Sequence, residues 1–260
     1  MRRFAIAPER VVDGRVTFDA LETRHLARVL RLGPGDTVVA TDGAGHDYTV
    51  RLDVVRPRAA GVVVAVAEAA AESPLAITLV QGLPKGDKLE TIVRAATELG
   101  VTRVVPALAA RTVVRLAERQ TAARVSRWQR VAREAAKQSR RRVVPEVAPP
   151  RPLDACLDLA RDVDVALCLW EDETSALGAA LAEMAPARRV AVLIGPEGGL
   201  ERREVDAARA RGWRVVGLGA RIMRTETAGP AIIAILQSRW GDLGGATTAD
   251  GERNDRAQRE

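Results

Sequence analysis

The chain contains few of the residues from which metal centres, disulfide frameworks and aromatic cores are built. Its 260 residues include two cysteines, two histidines and only 3% aromatic residues. Cys156 and Cys168 have no metal-ligand spacing and are too few for a disulfide framework. His25 and His46 are far apart in the sequence, and no cysteine or carboxylate cluster accompanies them. We therefore expect no metal, no histidine-dependent catalysis and a core made mainly of aliphatic side chains.

Long hydrophobic runs are also missing. No apolar stretch reaches the roughly 20 residues that a membrane-spanning helix needs. The apolar stretch near the N-terminus is too short for the hydrophobic region of a secretory signal. These features predict a cytoplasmic protein. Hydrophobic residues still make up 47% of the chain, which is enough to fill the core of one large domain or two modest ones.

The positive charge of the chain is carried almost entirely by arginine. The net charge is +6, and lysine occurs only at positions 85, 88 and 137. Basic residues are concentrated at 119–142 with few acidic neighbours. Such a cluster favours binding of a polyanion, because contacts with phosphates release counterions. The alternative is a solvated helix face in a protein rich in arginine.

Two glycine-containing polar segments each follow a β-branched apolar run and precede a helical pattern. The first spans 193–200 and the second 218–228. Open α/β sheets bind ligands at the carboxyl ends of their strands, and glycine lets backbone N–H groups come close to a ligand. The two segments therefore predict a ligand site. A simple tight turn is the alternative for the first segment, whereas the polar residues at 221–227 argue against it in the second.

The remaining pattern divides the chain into two domains and a tail. Residues 1–70 read as short strands with one helix at 23–30, and residues 67–74 as the linker. Residues 75–243 alternate between strands and helices, which is typical of an α/β domain. Asp87 and Glu90 suggest a capping box for a helix that ends near Gly100, and a longer helix is predicted at 119–139. Residues 244–260 are polar and unpatterned, so we expect a disordered tail.

In this order, the segments resemble the SPOUT class of S-adenosylmethionine-dependent RNA methyltransferases. Within it, they are similar to the bacterial 16S ribosomal RNA (uracil-N3)-methyltransferase family. Matching residues are spread over roughly 3–243, at 3–4, 25–36, 85–101 and 128–140 in addition to the two glycine-containing segments. Each motif is weak by itself, and the ordered set is specific.

The resemblance implies a SPOUT-type trefoil-knotted α/β methyltransferase domain preceded by a small PUA-like β-barrel domain that binds RNA. It also implies S-adenosyl-L-methionine as cofactor, a homodimer, and 16S ribosomal RNA of the small ribosomal subunit as substrate. Connection rules alone would predict an open doubly wound sheet, since true knots are rare. The knot is expected from the resemblance only.

The resemblance also implies a set of site residues. Twelve of them are expected to bind the cofactor: Leu169, Glu171, Leu193, Gly195, Pro196, Glu197, Gly198, Gly199, Leu218, Gly219, Met223 and Thr225. The basic cluster and the N-terminal segments add nine residues that are expected to contact RNA: Arg3, His25, Arg28, Arg31, Arg127, Arg130, Lys137, Gln138 and Arg140. For His25 the alternative is packing, and for Arg3 it is a solvated side chain.

The candidate catalytic residues are Arg221, Arg224 and Glu226. Methylation of uridine N3 requires loss of its proton, which a carboxylate can accept while an arginine stabilises charge on a uracil oxygen. Glu197 is an alternative carboxylate. Thr225 and Glu226 also suit the capping of a helix N-terminus, so the identity of the base stays open.

Three features depart from the family pattern. Ala220 replaces a usual proline, Glu201 stands where a residue such as serine is usual, and Gly229 and Pro230 interrupt the last helical pattern. Because proline suits only the first turn of a helix, we expect the helix to begin near Thr227 or to be distorted. We also expect its apolar residues at 232–236 to form the dimer contact.

Two other methyltransferase-fold functions remain open at this point. One is a SPOUT ribose 2′-O-methyltransferase acting on ribosomal or transfer RNA, and the other is an RNA-binding relative without catalysis. A Rossmann nucleotide enzyme is disfavoured, because no G-x-G-x-x-G follows the first strand of the α/β domain.

Overall fold

The computed structural model describes residues 1–43, 45–68, 72–114 and 118–244. The predicted tail, beyond Gly244, lies outside the described residues, as does part of the predicted linker. The described chain forms two sheets, one N-terminal and one C-terminal, each with its own hydrophobic core.

The N-terminal sheet has six strands in the order β1-β4-β5-β6-β3-β2. Its core contains Phe4, Phe18 and Leu26. The strands are β1 (Arg3–Ala5), β2 (Val11–Val12), β3 (Arg15–Thr17), β4 (Thr37–Thr41), β5 (His46–Val54) and β6 (Ala60–Glu68). This arrangement confirms the predicted small β-rich N-terminal domain.

The helix of this domain begins earlier than predicted. Helix α1 (Ala20–Arg24) continues into a π-helical turn at His25–Val29. The start is set by Asp19, whose side chain accepts a hydrogen bond from the backbone N–H of Glu22. An aspartate at this position satisfies one of the unpaired N–H groups of the first turn.

The C-terminal sheet has seven strands, all paired in parallel, in the order β10-β8-β7-β12-β11-β13, with β9 beside β8. The strands are β7 (Ala76–Gly82), β8 (Arg103–Leu108), β9 (Glu146–Val147), β10 (Arg151–Pro152), β11 (Val165–Leu169), β12 (Arg189–Ile194) and β13 (Arg214–Val216). Because parallel strands are buried on both faces, β7 and β12 read as nearly continuous apolar runs. The predicted α/β class is confirmed.

Six helices cover the two faces of this sheet. On one face, the apolar sides of four helices join a single core: α2 (Lys88–Glu98), α3 (Glu118–Gln138), α5 (Leu177–Ala182) and α7 (Thr225–Trp240). The other face is covered by α4 (Leu153–Leu157) and α6 (Arg202–Ala210). As predicted for the long helix, Trp128, Ala132 and Ala135 are buried, and most of its arginines lie on the exposed sides.

The predicted start of the last helix is wrong. Helix α7 begins at Thr225 and contains Pro230 in its interior. The Thr225 hydroxyl donates a hydrogen bond of 2.7 Å to the carbonyl oxygen of Gly195. This contact fixes the first turn in place. Pro230 has no N–H to donate to the carbonyl of Glu226, so the helix tolerates the loss of one hydrogen bond.

The predicted dimer contact on this helix is wrong for its main residues. Ile232, Ile233 and Leu236 are fully buried in the core of their own chain. Only Ile235 of the segment is substantially exposed, at 40%. The helix is apolar because it packs on α2, β7 and β12.

The predicted capping box of α2 is also wrong. Asp87 is the N-cap residue, but within the described structure its side chain makes no capping hydrogen bond. Glu90 instead pairs with Arg127 of α3, with 2.7 Å between Oε1 and Nε. A capping interaction forms on α6, where the backbone N–H of Glu201 donates to Glu204.

No helix among the described residues is long and apolar enough to cross a membrane. In the same residues, no group of three or more histidine, cysteine, aspartate or glutamate side chains is arranged to hold a metal ion. The trefoil threading of the chain stays a prediction.

Candidate functional site

A cavity of about 460 Å³ lies at the carboxyl ends of β11, β12 and β13. It is the site that the two glycine-containing segments predict. Of the predicted cofactor residues, ten line it: Leu169, Glu171, Gly195, Pro196, Glu197, Gly199, Leu218, Gly219, Met223 and Thr225. All three candidate catalytic residues, Arg221, Arg224 and Glu226, line it as well.

Two predicted cofactor residues are outside this lining in the described structure. Leu193 is fully buried in the core on the opposite face of the sheet, beside Cys168 and Leu200. Successive side chains of a strand point to opposite faces, so Ile194 reaches the cavity and Leu193 does not. Gly198 is exposed, and its carbonyl oxygen accepts a hydrogen bond of 2.7 Å from the guanidinium of Arg111.

Gln81 at the end of β7 joins the two ligand loops. Its side-chain amide is fully buried and donates hydrogen bonds to the hydroxyl of Thr225, at 2.8 Å, and to the carbonyl of Gly195, at 3.4 Å. A Cβ added at Gly229 would lie 3.3 Å from Gln81 Oε1. The glycine that departs from the family pattern therefore lets α7 pack closely on this amide.

Two glycines of the first loop allow close backbone packing. A Cβ at Gly195 would lie 3.0 Å from the carbonyl carbon of Gly199. Gly199 has a φ of +71°, and a Cβ there would come within 2.3 Å of Oε1 of Glu171. The left-handed φ of Gly199 is the stronger constraint, because the end of the Glu171 side chain could move aside, whereas a Cβ at Gly195 would crowd the backbone of the loop itself.

Lys88, the first residue of α2, lies between two carboxylates of the cavity. Its ammonium is 3.1 Å from Oε1 of Glu197 and 3.5 Å from Oε2 of Glu226. The hydrogen bond to Glu197 is the main cause of a raised pKa of Lys88. Burial raises the pKa of Glu197, but the backbone N–H groups of Glu197 and Lys85 and the Lys88 ammonium outweigh it, so the pKa is lowered.

Arg221 and Arg224 leave positive charge available at the rim of the cavity. Both are exposed, and neither has a carboxylate partner among the described residues. The residue between them, Ile222, is 88% exposed. This loop therefore offers two guanidinium groups and an apolar side chain to a bound molecule.

A second, larger cavity of about 1510 Å³ separates the N-terminal sheet from α3. Eight basic residues line it: Arg3, Arg10, Arg130, Arg133, Lys137, Arg140, Arg141 and Arg142. Of the predicted RNA-binding residues, Arg28, Arg31, Arg127, Arg130, Gln138 and Arg140 are exposed. Five acidic residues also line the cavity: Glu9, Asp19, Glu22, Asp42 and Glu134. Basic residues still outnumber acidic ones, which favours a polyanion.

Four of the predicted RNA-binding side chains have partners within the protein. Arg3 pairs with Asp47, and Arg127 pairs with Glu90. His25 packs edge-on against the ring of Phe4. Lys137 is mostly buried, and its ammonium bonds to Glu22 at 3.0 Å. A buried ammonium that holds a carboxylate stabilises the fold, so the expected RNA contact of Lys137 is not supported.

Lys88 and Gln81 are site residues that the sequence reasoning missed. A signal was present for each of them. Lys88 is one of only three lysines in a chain whose other basic residues are arginine. Gln81 is a polar residue at the end of an apolar strand, directly before Gly82. Neither signal states what the residue contacts, because both partners come from distant parts of the chain.

Sequence comparison gives the family of the chain. A family model for an RNA methyltransferase domain matches residues 71–237, and one for an RNA methyltransferase PUA domain matches residues 19–59. The ribosomal RNA small subunit methyltransferase E of Synechocystis sp. is 34% identical over 91% of this chain and 77% of its own length. That of Bacillus subtilis is 33% identical over 80% of this chain and 83% of its own.

Solved structures agree with this relationship. The small subunit methyltransferase E of Neisseria gonorrhoeae, bound to S-adenosyl methionine, is 34% identical with a TM-score of 0.83, covering 94% of this chain and 99% of its own. A methyltransferase of Legionella pneumophila, also solved with this cofactor, is 27% identical with a TM-score of 0.86 over 93% and 98% of the two chains. The chain therefore belongs to the family of RNA methyltransferases that includes the ribosomal RNA small subunit methyltransferases E.

Proposed function

We propose that the protein transfers a methyl group from S-adenosylmethionine to N3 of a uridine in 16S ribosomal RNA. The observation that carries the proposal is the cavity at the strand ends, which brings the first glycine loop together with Arg221, Arg224 and Glu226. Relatives at up to 34% identity are named as methyltransferases of small subunit ribosomal RNA. An RNA-modifying enzyme of this kind would work in the cytoplasm.

The residues of the smaller cavity fit the proposed cofactor. Gly195 and Gly199 leave the backbone accessible where a side chain would clash. Leu169, Leu218 and Met223 supply apolar surface for an adenine ring. Glu171 and Glu197 supply negative charge near a site that would receive a sulfonium cation. When bound, the cofactor supplies an electrophilic methyl group.

The protein's own task is to prepare the acceptor atom. Uridine N3 carries a proton, so the nitrogen needs to lose it before or during the formation of the N–C bond. Glu226 lines the cavity from the first turn of α7 and is the carboxylate that we assign as proton acceptor. Arg221 or Arg224 would stabilise the negative charge that develops on the uracil oxygens. Positioning of the two reactants supplies much of the remaining rate enhancement.

The experiment that tests the reaction locates the methyl group. The purified protein would be incubated with S-adenosylmethionine and with 16S RNA or small subunits from a strain that lacks the modification. Nucleoside mass spectrometry is expected to find 3-methyluridine. A methyl group on a ribose would favour the alternative 2′-O-methyltransferase. An absence of cofactor binding by calorimetry would favour the RNA-binding relative without catalysis.

We propose that the RNA lies against the larger cavity between the N-terminal sheet and α3. Three arginines of its lining, Arg130, Arg133 and Arg140, are exposed and have no ion pair recorded in the described structure. Changing all three to glutamine is expected to weaken RNA binding and to leave cofactor binding unchanged. The slope of log affinity against log salt concentration should become less steep, by up to about 0.9 for each phosphate contact that is lost.

A matched control changes three exposed arginines near the amino ends of β11 and β12: Arg161, Arg188 and Arg189. The control lowers the net charge by the same amount at the opposite edge of the sheet. Equal losses of RNA affinity in both triple variants would mean that only total charge matters. Unchanged affinity in the first variant would contradict the proposed RNA path.

We also propose a homodimer, as the resemblance implies. The apolar side chains available for such a contact near the site are Ile222 and Ile235, since the neighbouring residues of α7 are buried. Sedimentation at micromolar concentration is expected to give twice the monomer mass. Changing both isoleucines to serine is expected to weaken the dimer. A fully active monomer would contradict this part of the proposal.

A further inference from the structure

We propose that Lys88 is a positioning residue of the methyl-transfer site, whose ammonium holds the Glu226 carboxylate in place as an anion at the wall of the cavity. The proposal rests on the proposed function and deepens it. It assigns a role to a side chain that does not itself need to touch the uridine.

The contacts of Lys88 connect three separate elements. The lysine is the first residue of α2, Glu197 is in the loop after β12, and Glu226 is in the first turn of α7. Oε2 of Glu226 is buried and forms no hydrogen bond in the described structure. The Lys88 ammonium lies 3.5 Å from that oxygen and is its ion-pair partner among the described residues. Within the described ranges, the position of this oxygen therefore depends on one lysine.

The location of Lys88 in its helix argues against a role in helix stability. The N-terminus of a helix carries a partial positive charge, so acidic residues stabilise it and basic residues do not. Lys88 nevertheless occupies the first position of an 11-residue helix. The unfavourable interaction with the helix dipole is offset only if the ammonium meets carboxylates. It meets two, and both line the cavity.

The choice of lysine also points to a specific geometry. Most basic positions in the chain are arginine. The ammonium of lysine is a compact point charge, whereas the guanidinium of arginine is planar and directs its donors as a fork. A compact ammonium fits between two carboxylates that come from a loop and from the first turn of a helix. The other charged groups of the cavity are Glu171, Arg221 and Arg224.

Loss of this ammonium has a consequence for proton transfer. Glu197 and Glu226 would then face the cavity without the cation between them, and like charges favour protonation of one carboxylate. A protonated Glu226 cannot accept the proton of uridine N3. The acid limb of the rate profile should therefore move to higher pH, while RNA binding at the larger cavity stays the same.

The test compares the Lys88→Met and Lys88→Gln variants with Lys88→Arg, which keeps the charge. Arg94→Gln is the control, because Arg94 is exposed on the same helix. The first readout is a ¹³C NMR titration of glutamate carboxyls in the protein without substrate, with Glu226 assigned through a Glu226→Gln variant. The second is the pH profile of kcat, with KM for RNA measured in parallel.

In Lys88→Met and Lys88→Gln, we expect the titration midpoint of Glu226 to lie at higher pH than in the wild type, because the neighbouring cation is lost. We expect kcat at neutral pH to fall about tenfold or more with KM for RNA unchanged, because the Glu226 carboxylate is no longer held in position for proton transfer. Lys88→Arg keeps the charge but not the compact ammonium, so it should recover part of kcat, and Arg94→Gln should match the wild type.

An unmoved Glu226 midpoint in Lys88→Met, or an unchanged kcat, would overturn the proposal. Equal losses of kcat in Lys88→Arg and Lys88→Met would also overturn it. Such a result would mean that the positive charge at position 88 does not matter and that the lysine has only a structural role. The NMR titration requires no catalysis. A wild-type protein that transfers no methyl group would therefore contradict the proposed function, whereas the NMR titration would still test the contact between Lys88 and Glu226.

Discussion

At the residue scale, Gly199 combines two constraints that few positions of the chain share. Its φ of +71° is unfavourable for a residue with a side chain, and an added Cβ would come within 2.3 Å of the Glu171 carboxylate. We expect Gly199→Ala to lower the affinity for S-adenosylmethionine about tenfold, because the loop of the free variant would leave the left-handed conformation and binding would have to restore it at a cost of roughly 1–2 kcal/mol. Isothermal titration calorimetry measures this.

Gly178→Ala is the matched control for this substitution. Gly178 lies in α5, and an added Cβ there would meet no atom within 4 Å. Its cofactor affinity should equal that of the wild type. Unchanged affinity in Gly199→Ala would contradict the assignment of the first glycine loop to the cofactor.

The two cysteines give a second prediction at this scale. Burial raises the pKa of Cys156 to about 11 and that of Cys168 to about 12. Because the thiolate is the reactive form, neither thiol should react with a disulfide reagent such as DTNB at pH 8 in the native protein. Both should react after denaturation. Rapid reaction of a native thiol would contradict the burial of these side chains.

Some residues of the site could be predicted from the sequence, and others could not. Glycines next to a strand end predict a close backbone approach by themselves, and Gly195 and Gly199 meet that expectation in the structure. The side chain of Leu193 points to the other face of the sheet, as alternation along a strand requires, so only its backbone could meet the cofactor, and its role stays a prediction. Lys88 and Gln81 could not be assigned, because their partners are more than a hundred residues away.

At the scale of the element, the interior proline of α7 is the main local conflict. The long helix, predicted at 119–139, forms at Glu118–Gln138, because its apolar face repeats with a helical period that is visible in the local sequence. The start of α7 is different. It is determined by the contact of Thr225 with Gly195 and Gln81. A tertiary contact thus overrides the local preference of Pro230 for a first turn.

Replacing this proline should stabilise the protein. In Pro230→Ala, the new N–H can donate to the carbonyl of Glu226, and the penalty of roughly 3 kcal/mol for an interior proline is removed. Alanine also leaves the unfolded chain more conformational freedom than proline does, which lowers the free energy of unfolding by about 0.4–1 kcal/mol. We expect the free energy of unfolding in urea to rise by about 2 kcal/mol or slightly more.

The control for this change is Pro186→Ala, which replaces an exposed proline before β12. There, only the unfolded-chain effect applies, so the free energy of unfolding should fall slightly or stay the same. If Pro230→Ala were destabilising, the proline would be making a favourable packing contact that outweighs the missing hydrogen bond.

At the scale of the whole molecule, the two domains are joined by contacts that the sequence does not indicate. Glu72, which follows the N-terminal sheet, accepts hydrogen bonds from the Arg141 guanidinium and from the backbone of Arg142. Glu22 of α1 is paired with Lys137 of α3. Charged residues are usually exposed, so a basic cluster at 119–142 predicts a solvated or RNA-facing surface. Part of this cluster instead holds the domains together.

The pair of Lys137 and Glu22 should therefore be important for stability. Both side chains are mostly buried, at 13% and 6% exposure, and the ammonium also lies 5.0 Å from the centre of the Phe4 ring. Lys137→Met would leave the Glu22 carboxylate buried without its partner, which typically costs about 3–5 kcal/mol. The double variant Lys137→Met/Glu22→Gln should lose less, because no unpaired charge remains. Urea unfolding of the wild type, of Lys137→Met, of Glu22→Gln and of the double variant gives the coupling energy between the two side chains.

The exposed pair Arg202 and Asp206 is the control and should show a coupling energy of at most about 0.5 kcal/mol. Additive losses at the buried pair would mean that Lys137 and Glu22 do not depend on each other, and Lys137 would then be available for RNA.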